Sequence, residues 1–298
     1  MEIKQSGMIT LCGRPNVGKS TLTNALVGEK IAIVTNKPQT TRNRICAVLT
    51  RGESQFVFMD TPGFHKPRSR LGDYMVDVVR RSVADVDAVL LLVEPIANIG
   101  APEQELIDRI KGLSVPSVLV INKIDTVPKE TLLEVMQVYG AAHEFQGIVP
   151  ISAKRGEGVE ELLDLVATFL SAGPQLFPDD MISDQPEKQI CAEIVREKLL
   201  MYLDKEIPHG TAVEVTKFSE RIESGIIDLH VTIYCEKSSH KGIIIGKQGT
   251  MLKKISSQAR QDIERFMGTK VYLETWVKVK ENWRDNLNQV RNFGYRDE

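Results

Sequence analysis

An α/β domain built on a mostly parallel sheet with helices on both faces, followed by a smaller α+β domain, is the fold class this sequence predicts. Three observations predict it. Over residues 8–170, short continuous apolar runs alternate with amphipathic helical segments, as parallel strands buried on both faces require. At 174–186, three prolines and three aspartates interrupt every periodic pattern, so the chain is divided into 1–173, a linker at 174–186, and 187–298. Beyond the linker, a helical period gives way to strict alternation: Ile227, Leu229, Val231, Ile233 and Cys235 alternate with Asp228, His230, Thr232 and Tyr234, a strand with one buried face.

The first strand, 8–12, runs into Gly13-Arg14-Pro15-Asn16-Val17-Gly18-Lys19-Ser20, and a helix begins at Thr21. This is the P-loop pattern in its mechanical setting. Glycines let the backbone close around phosphate oxygens, and successive N–H groups and the helix N-terminus face the negative charge. Lys19 reaches the β- and γ-phosphates and the Ser20 hydroxyl ligates Mg²⁺. The next apolar run, 56–59, ends in Asp60-Thr61-Pro62-Gly63. Asp60 is expected to hold Mg²⁺ through water and the Gly63 N–H to meet the γ-phosphate. Between them, Pro38-Gln39-Thr40-Thr41-Arg42 reads as a switch loop whose Thr41 reaches Mg²⁺ when the γ-phosphate is present.

A helix near 72–82, a strand at 88–93 and a helix near 102–110 lead to the strand 116–121 and then Asn122-Lys123-Ile124-Asp125. A carboxylate at that strand end accepts from the N1–H and 2-amino group of guanine, a donor pair adenine lacks. A helix at 129–139 precedes the run 148–151 and Ser152-Ala153-Lys154, which closes over the guanine ring. A helix at 158–170 completes the domain. All five motifs fall at carboxyl ends of strands, where open α/β sheets bind ligands.

The second domain opens with a helix at 187–204 and two strands. Gly242-Ile243-Ile244-Ile245-Gly246-Lys247-Gln248 mimics a second P-loop, but only three residues separate the glycines and Gln248 stands where a metal-binding hydroxyl is needed. The better reading is the G-x-x-G loop of a KH domain, Gly246-Lys247-Gln248-Gly249, between helices. There Gly242 and Ile245 lead in, the glycines admit a nucleic-acid backbone, and Lys247, Gln248, Lys253 and Lys254 face it. Six basic and no acidic residues lie between Lys237 and Arg260. On the following strand, 270–280, Tyr272 and Trp276 are interleaved with lysines. That pattern suits stacking on bases, yet packing beneath the terminal helix at 283–291 is the expected role.

As a set, the GRPNVGKST, TTR, DTPG, NKID and SAK segments with the C-terminal KH pattern resemble the Era family of GTPases over nearly the whole chain. The resemblance implies GTP and GDP as ligands, Mg²⁺ as cofactor, and Lys19, Thr41, Gly63 and Asn16 as the catalytic set. It implies binding to the 3′ region of small-subunit (16S) ribosomal RNA and a role in assembling the 30S subunit. It also implies a cytoplasmic monomer with, at most, weak peripheral contact at the inner face of the cell membrane. Many GTPases place Gln after the D-x-x-G glycine to orient water; Phe64 stands there. Asn16 either holds K⁺ against the phosphates, as in related GTPases, or shapes the loop through its own backbone hydrogen bonds. Two other readings stay open: an RNA-binding scaffold that senses GTP with little hydrolysis, and a GTPase acting on another RNA.

Composition sets bounds. The net charge of -2 gives no global pull toward nucleic acid. The charge is uneven, however: 19 Lys/Arg against 23 Asp/Glu over 1–186, and 19 against 17 over 187–298. Four scattered cysteines without a C-x-x-C read as reduced thiols, not a disulfide frame or zinc site. His209, His230 and His240 lack ligand-like spacing. No charged-then-apolar leader opens the chain, and no apolar run approaches the roughly 18–20 residues of a membrane span.

Overall fold

The computed structural model describes residues 3–63, 69–81 and 86–295. The chain clusters into two compact units. The first holds the chain up to Ala32, resumes at Thr41 and runs to Asp184. The second holds Ile33–Thr40, the first turn of the helix at Arg70–Arg81, and the chain from Gln185 onward.

The first unit contains β1 (Gln5–Gly13), α1 (Lys19–Val27), β2 (Ile45–Arg51), β3 (Ser54–Asp60), the greater part of α2 (Arg70–Arg81), β4 (Ala88–Val93), α3 (Ala101–Lys111), β5 (Ser117–Ile121), α4 (Lys129–Ala142), β6 (Gly147–Pro150), α5 (Val159–Ala167) and β7 (Ser171–Ala172). Among the described residues the sheet order is β2-β3-β1-β4-β5-β6, with β7 pairing antiparallel to β1. β2 runs antiparallel to β3 and the remaining neighbours are parallel. The fully buried β4 shows why its sequence does not alternate. Leu90 and Leu92 pack beneath α1 and α5 with Leu22, Leu162 and Val166, while Val89, Leu91 and Val93 pack beneath α3 and α4 with Ile107, Ile110 and Tyr139. The antiparallel β2 went unassigned from the sequence, although its Ile45–Leu49 stretch is apolar. The linker lies on this edge: Val48 N–H donates to Ile182 O (3.0 Å), Cys46 N–H to Asp184 Oδ1 (3.1 Å), and Gln55 Nε2 to Phe177 O (2.8 Å).

The second unit contains α6 (Glu187–Tyr202), β8 (Ala212–Glu220), β9 (Ile227–Cys235), α7 (Ser238–Ile245), α8 (Thr250–Met267), β10 (Val271–Val279) and α9 (Leu287–Asn292). β9 is central, antiparallel to β8 and parallel to β10, which forms an edge. One core joins α6, α7 and α8 to one sheet face through Ile194, Leu199, Leu229, Val231, Ile233, Ile244, Ile255 and Ile263. Within this unit Ile33–Thr40 lies along α6. Val34 N–H donates to Glu197 Oε1 (2.9 Å), Arg196 donates to Thr40 O, and Lys37 donates to Leu203 O.

The sheet face away from those helices corrects one expectation. Trp283 is buried, donates Nε1–H to Gly210 O (2.9 Å), and packs edge-on against Phe293, which in turn meets Tyr234. The six-residue α9 therefore covers the Tyr234 end of the sheet. Tyr272 and Trp276 do not pack beneath it; they are 51% and 57% exposed.

Candidate functional site

Four strand ends converge in the first unit. Gly13–Ser20 follows β1, Asp60 closes β3, Asn122 follows β5 and Ser152 follows β6. Parallel strands place those ends on one edge of the sheet, so segments more than a hundred residues apart in sequence become neighbours.

At the phosphate end, Lys19 is buried and its Nζ donates to Gly13 O and Arg14 O, both at 3.1 Å, so the ammonium is held inside the loop it closes. Burial lowers the Lys19 pKa, and Asp60 then Cys12 oppose that shift. Ser20 Oγ donates to Asp60 Oδ2 at 2.7 Å and lies 2.8 Å from Thr41 Oγ1, which is itself 3.5 Å from the same carboxylate oxygen. Burial raises the Asp60 pKa; Lys19, Ser20 and Thr41 pull it back. Asp60 Oδ1 is buried with no hydrogen-bond partner among the described residues. Two hydroxyls and one carboxylate with a spare oxygen are the hard donor set that Mg²⁺ takes when phosphates supply the rest. No cluster of three or more His, Cys, Asp or Glu side chains is present among the described residues, so the donors do not form an all-protein metal cage.

The base end is equally interlocked. Asn122 Nδ2 donates to Val17 O (2.8 Å) and its Oδ1 accepts from Ala153 N–H (3.0 Å), joining three motifs through one amide. A Cβ on Gly18 would stand 2.2 Å from Asn122 Nδ2, and Gly18 has φ +102, so only glycine serves there. Ser152 Oγ donates to Asp125 Oδ1 (2.7 Å), and Arg155 lies 3.6 Å from Oδ2. The Ser152 hydrogen bond is the leading cause of the lowered Asp125 pKa, which keeps the acceptor ionised. Lys154 is exposed beside it. Lys123 Nζ donates to Asn16 O (2.7 Å). Asn16 has φ 67, the left-handed conformation that asparagine tolerates better than most residues.

Several expected site residues serve the frame. Thr61 Oγ1 donates to Leu11 O (2.9 Å), tying the end of β3 to β1. Val17 and Pro62 are buried, and Thr21 is half-buried on α1. Phe64 lies outside the described residues. Glu94, which follows β4, was missed from the sequence. Its carboxylate pairs with Lys123 (2.5 Å) and Arg14 (3.1 Å), and Arg14 also pairs with the buried Glu103 (2.5 Å). One carboxylate thus links the phosphate loop to the base loop.

In the second unit α7 ends at Gly246, which has φ +73 and would bring a Cβ within 2.7 Å of Met251 Cβ. The turn Lys247–Gly249 then opens α8. Lys247, Gln248, Lys253 and Gly242 are exposed, and Ile245 and Gly249 are half-buried. Lys254 lies over the Tyr202 ring, 4.1 Å from its centroid. Ile243, also missed, is 50% exposed: in the helix 238–245 the run of three isoleucines buries Ile244 and turns Ile243 outward.

Comparison with known proteins follows the same division. A family model described as a 50S ribosome-binding GTPase matches residues 8–123, and a KH domain model matches 206–284. The chain is 51% identical over 292 residues to GTPase Era of Ruminiclostridium cellulolyticum, covering 98% of both chains. It is 52% identical over 291 residues to GTPase Era of Alkaliphilus metalliredigens, covering 98% and 99%. Among solved structures, an Aquifex aeolicus Era variant bound to GDP and aluminium fluoride superposes with a TM-score of 0.94 at 38% identity, over 98% of this chain and all of that one. Era in complex with MgGDPNP and nucleotides 1506–1542 of 16S ribosomal RNA also gives 0.94, at 37% identity, over 99% of this chain and 100% of that one.

Proposed function

The chain belongs to the Era family of GTPases, and from that premise we propose that it is a GTP-hydrolysing switch that binds the 3′ region of 16S ribosomal RNA and acts in assembly of the 30S subunit. The observation that carries the reading is the coexistence, in one chain, of a guanine-nucleotide site and a KH loop. Asp125, held by Ser152, reads guanine; Ser20, Thr41 and Asp60 meet at the phosphate end; Gly246–Gly249 lies within a basic, acid-free segment.

Hydrolysis is in-line attack of water on the γ-phosphate, and little covalent chemistry falls to the protein. Lys19 and the loop N–H groups bind and orient the phosphates, the Gly63 N–H meets the γ-phosphate, and Thr41 joins the metal-side hydroxyls. Ser20 and Thr41, with Asp60 through water, would hold Mg²⁺, which would neutralise charge on the phosphates. A monovalent cation is the finer part of the proposal. With Phe64 in place of a water-orienting Gln, Asn16 would hold K⁺, which would supply further charge neutralisation at the phosphates. Its left-handed backbone supports the competing role of loop shaping.

RNA is taken at the groove beside Gly246–Gly249, where Lys247 meets phosphate and the exposed Ile243 offers an apolar contact to a base. Membrane contact plays at most a weak part. No described helix is long and apolar enough to cross a membrane, and of the apolar side chains over 283–295, Trp283, Val290 and Tyr295 are buried while Leu287 is exposed. Crosslinking in cells followed by sequencing of bound RNA tests the reading. Reads concentrated at the 3′ end of 16S RNA are expected. Reads concentrated on another RNA would retain the KH domain and replace the partner.

A further inference from the structure

We propose that the part of the second unit's outer sheet face that α9 leaves uncovered is a second RNA contact, which stacks unpaired bases on Tyr272 and Trp276. This rests on the RNA-binding reading above but assigns a surface separate from the Gly246–Gly249 groove. That groove lies beside α7 and α8, which pack on the opposite sheet face.

The two rings are the large exposed aromatics of the described residues, at 51% and 57% exposure. They stand on one face of the edge strand β10, four residues apart, or roughly 13 Å at strand rise, so each ring takes its own base. Around them the acids are already engaged. Asp228, opposite Tyr272 in register, pairs with Arg221 (2.6 Å) and Lys217 (3.4 Å); Glu274 lies 3.4 Å from His230; Glu214 accepts from Tyr234 Oη (2.8 Å). Arg221 also lies over the Tyr272 ring, 5.5 Å from its centroid, and presents a planar cation beside a planar ring. Lys278, on the same face of β10, and Lys280, just past the strand's end, have no ion-pair partner among the described residues. With Lys270 paired to Glu264 and left out of the count, Lys217, Arg221, Lys278 and Lys280 stand against the three acids Glu214, Asp228 and Glu274, which leaves the patch net positive.

That combination selects the occupant. A protein partner would bury a contiguous apolar centre and deplete lysine. Here two separated rings are set among lysines and paired charges, the composition of a surface that stacks bases and tracks phosphate. Exposed aromatics on a sheet face are also how another RNA-binding sheet domain takes bases.

Tryptophan emission tests this directly, because the chain has two tryptophans and the other, Trp283, is buried. Titrating the full chain with RNA of nucleotides 1506–1542 should quench the Trp276 emission and protect it from acrylamide. A Trp276→Phe variant, reporting Trp283 alone, should show no response. Trp276→Ala should weaken that RNA about tenfold, within the range for loss of one stacked base, without changing the salt slope. Lys278→Ala should lower the slope by about one. Filter retention of the RNA with unchanged Trp276 emission and unchanged affinity of Trp276→Ala would overturn this proposal and leave the KH-loop reading standing. Absence of RNA retention by the wild type would overturn both.

Discussion

On the proposed function, base choice falls to a single carboxylate. Asp125 Oδ1 accepts from Ser152 at 2.7 Å and Oδ2 lies 3.6 Å from Arg155; the carboxylate is proposed to accept from the guanine edge. Asp125→Asn exchanges an acceptor pair for a mixed amide that opposes guanine's donors and suits the 2-keto group of xanthine. GTP binding should weaken about a hundredfold, with XTP binding gained, in competition titrations. Unchanged GTP affinity would remove Asp125 from the base site. Glu94 is predicted to position rather than to touch the ligand. Glu94→Gln keeps the shape but discharges the link between Arg14 and Lys123. Stopped-flow release of a fluorescent GDP should quicken about tenfold while the rate of the chemical step holds; an unchanged release rate would leave Glu94 a surface pair. For Asn16, turnover in K⁺ against Na⁺ at equal ionic strength decides between its two roles. A K⁺ advantage that disappears in Asn16→Ala is expected. Equal wild-type rates in both salts would leave only loop shaping. Asp125 and Asn16 stand out in the sequence because each belongs to a local motif. Glu94 does not: it meets Arg14 and Lys123 only because β4 lies between β1 and β5, and strand order is written nowhere in a local pattern.

Elements were legible in proportion to their periodicity. β4, β5 and β9 announce themselves as a solid apolar run or a strict alternation. The helix over Ser238–Ile245 follows from the KH pattern but its bounds do not, because its isoleucines suit a strand as well as a helix turn. Tyr272 and Trp276 were misplaced for a related reason. Alternation along β10 separates two faces but does not reveal which one a six-residue helix is long enough to cover. The KH loop also gains a cleaner test from its geometry. A side chain at Gly246 would collide with Met251, whereas nothing lies within 4 Å of a Cβ at Gly249. Gly249 has φ +78, a left-handed conformation that Asn and Asp tolerate better than other side chains, so Gly249→Asp compared with Gly249→Asn isolates the negative charge placed where phosphate approaches. RNA retention on filters should fall more than tenfold in Gly249→Asp with GTP binding intact. Full retention at physiological salt would make the loop a structural corner.

The whole molecule divides its chemistry as its charge is divided. The acidic first part holds the nucleotide motifs, and the basic surplus falls after residue 186. Composition and motif order suffice to read both chemistries. They give no sign that Ile33–Thr40, just ahead of Thr41, packs along α6 through Glu197 and Arg196, because such a contact depends on the tertiary fold and on no local period. The central claim is that one chain both cleaves GTP and holds ribosomal RNA. Single-turnover hydrolysis tests it most directly. The full chain is loaded with γ-labelled GTP in Mg²⁺ and K⁺, with and without RNA of nucleotides 1506–1542, and phosphate release and RNA retention are followed in the same samples. Complete conversion of bound GTP by wild type, lost in Lys19→Ala, with RNA retained, is the predicted result. Intact GTP on a chain that holds its RNA would contradict it, and would make the protein a nucleotide-sensing scaffold.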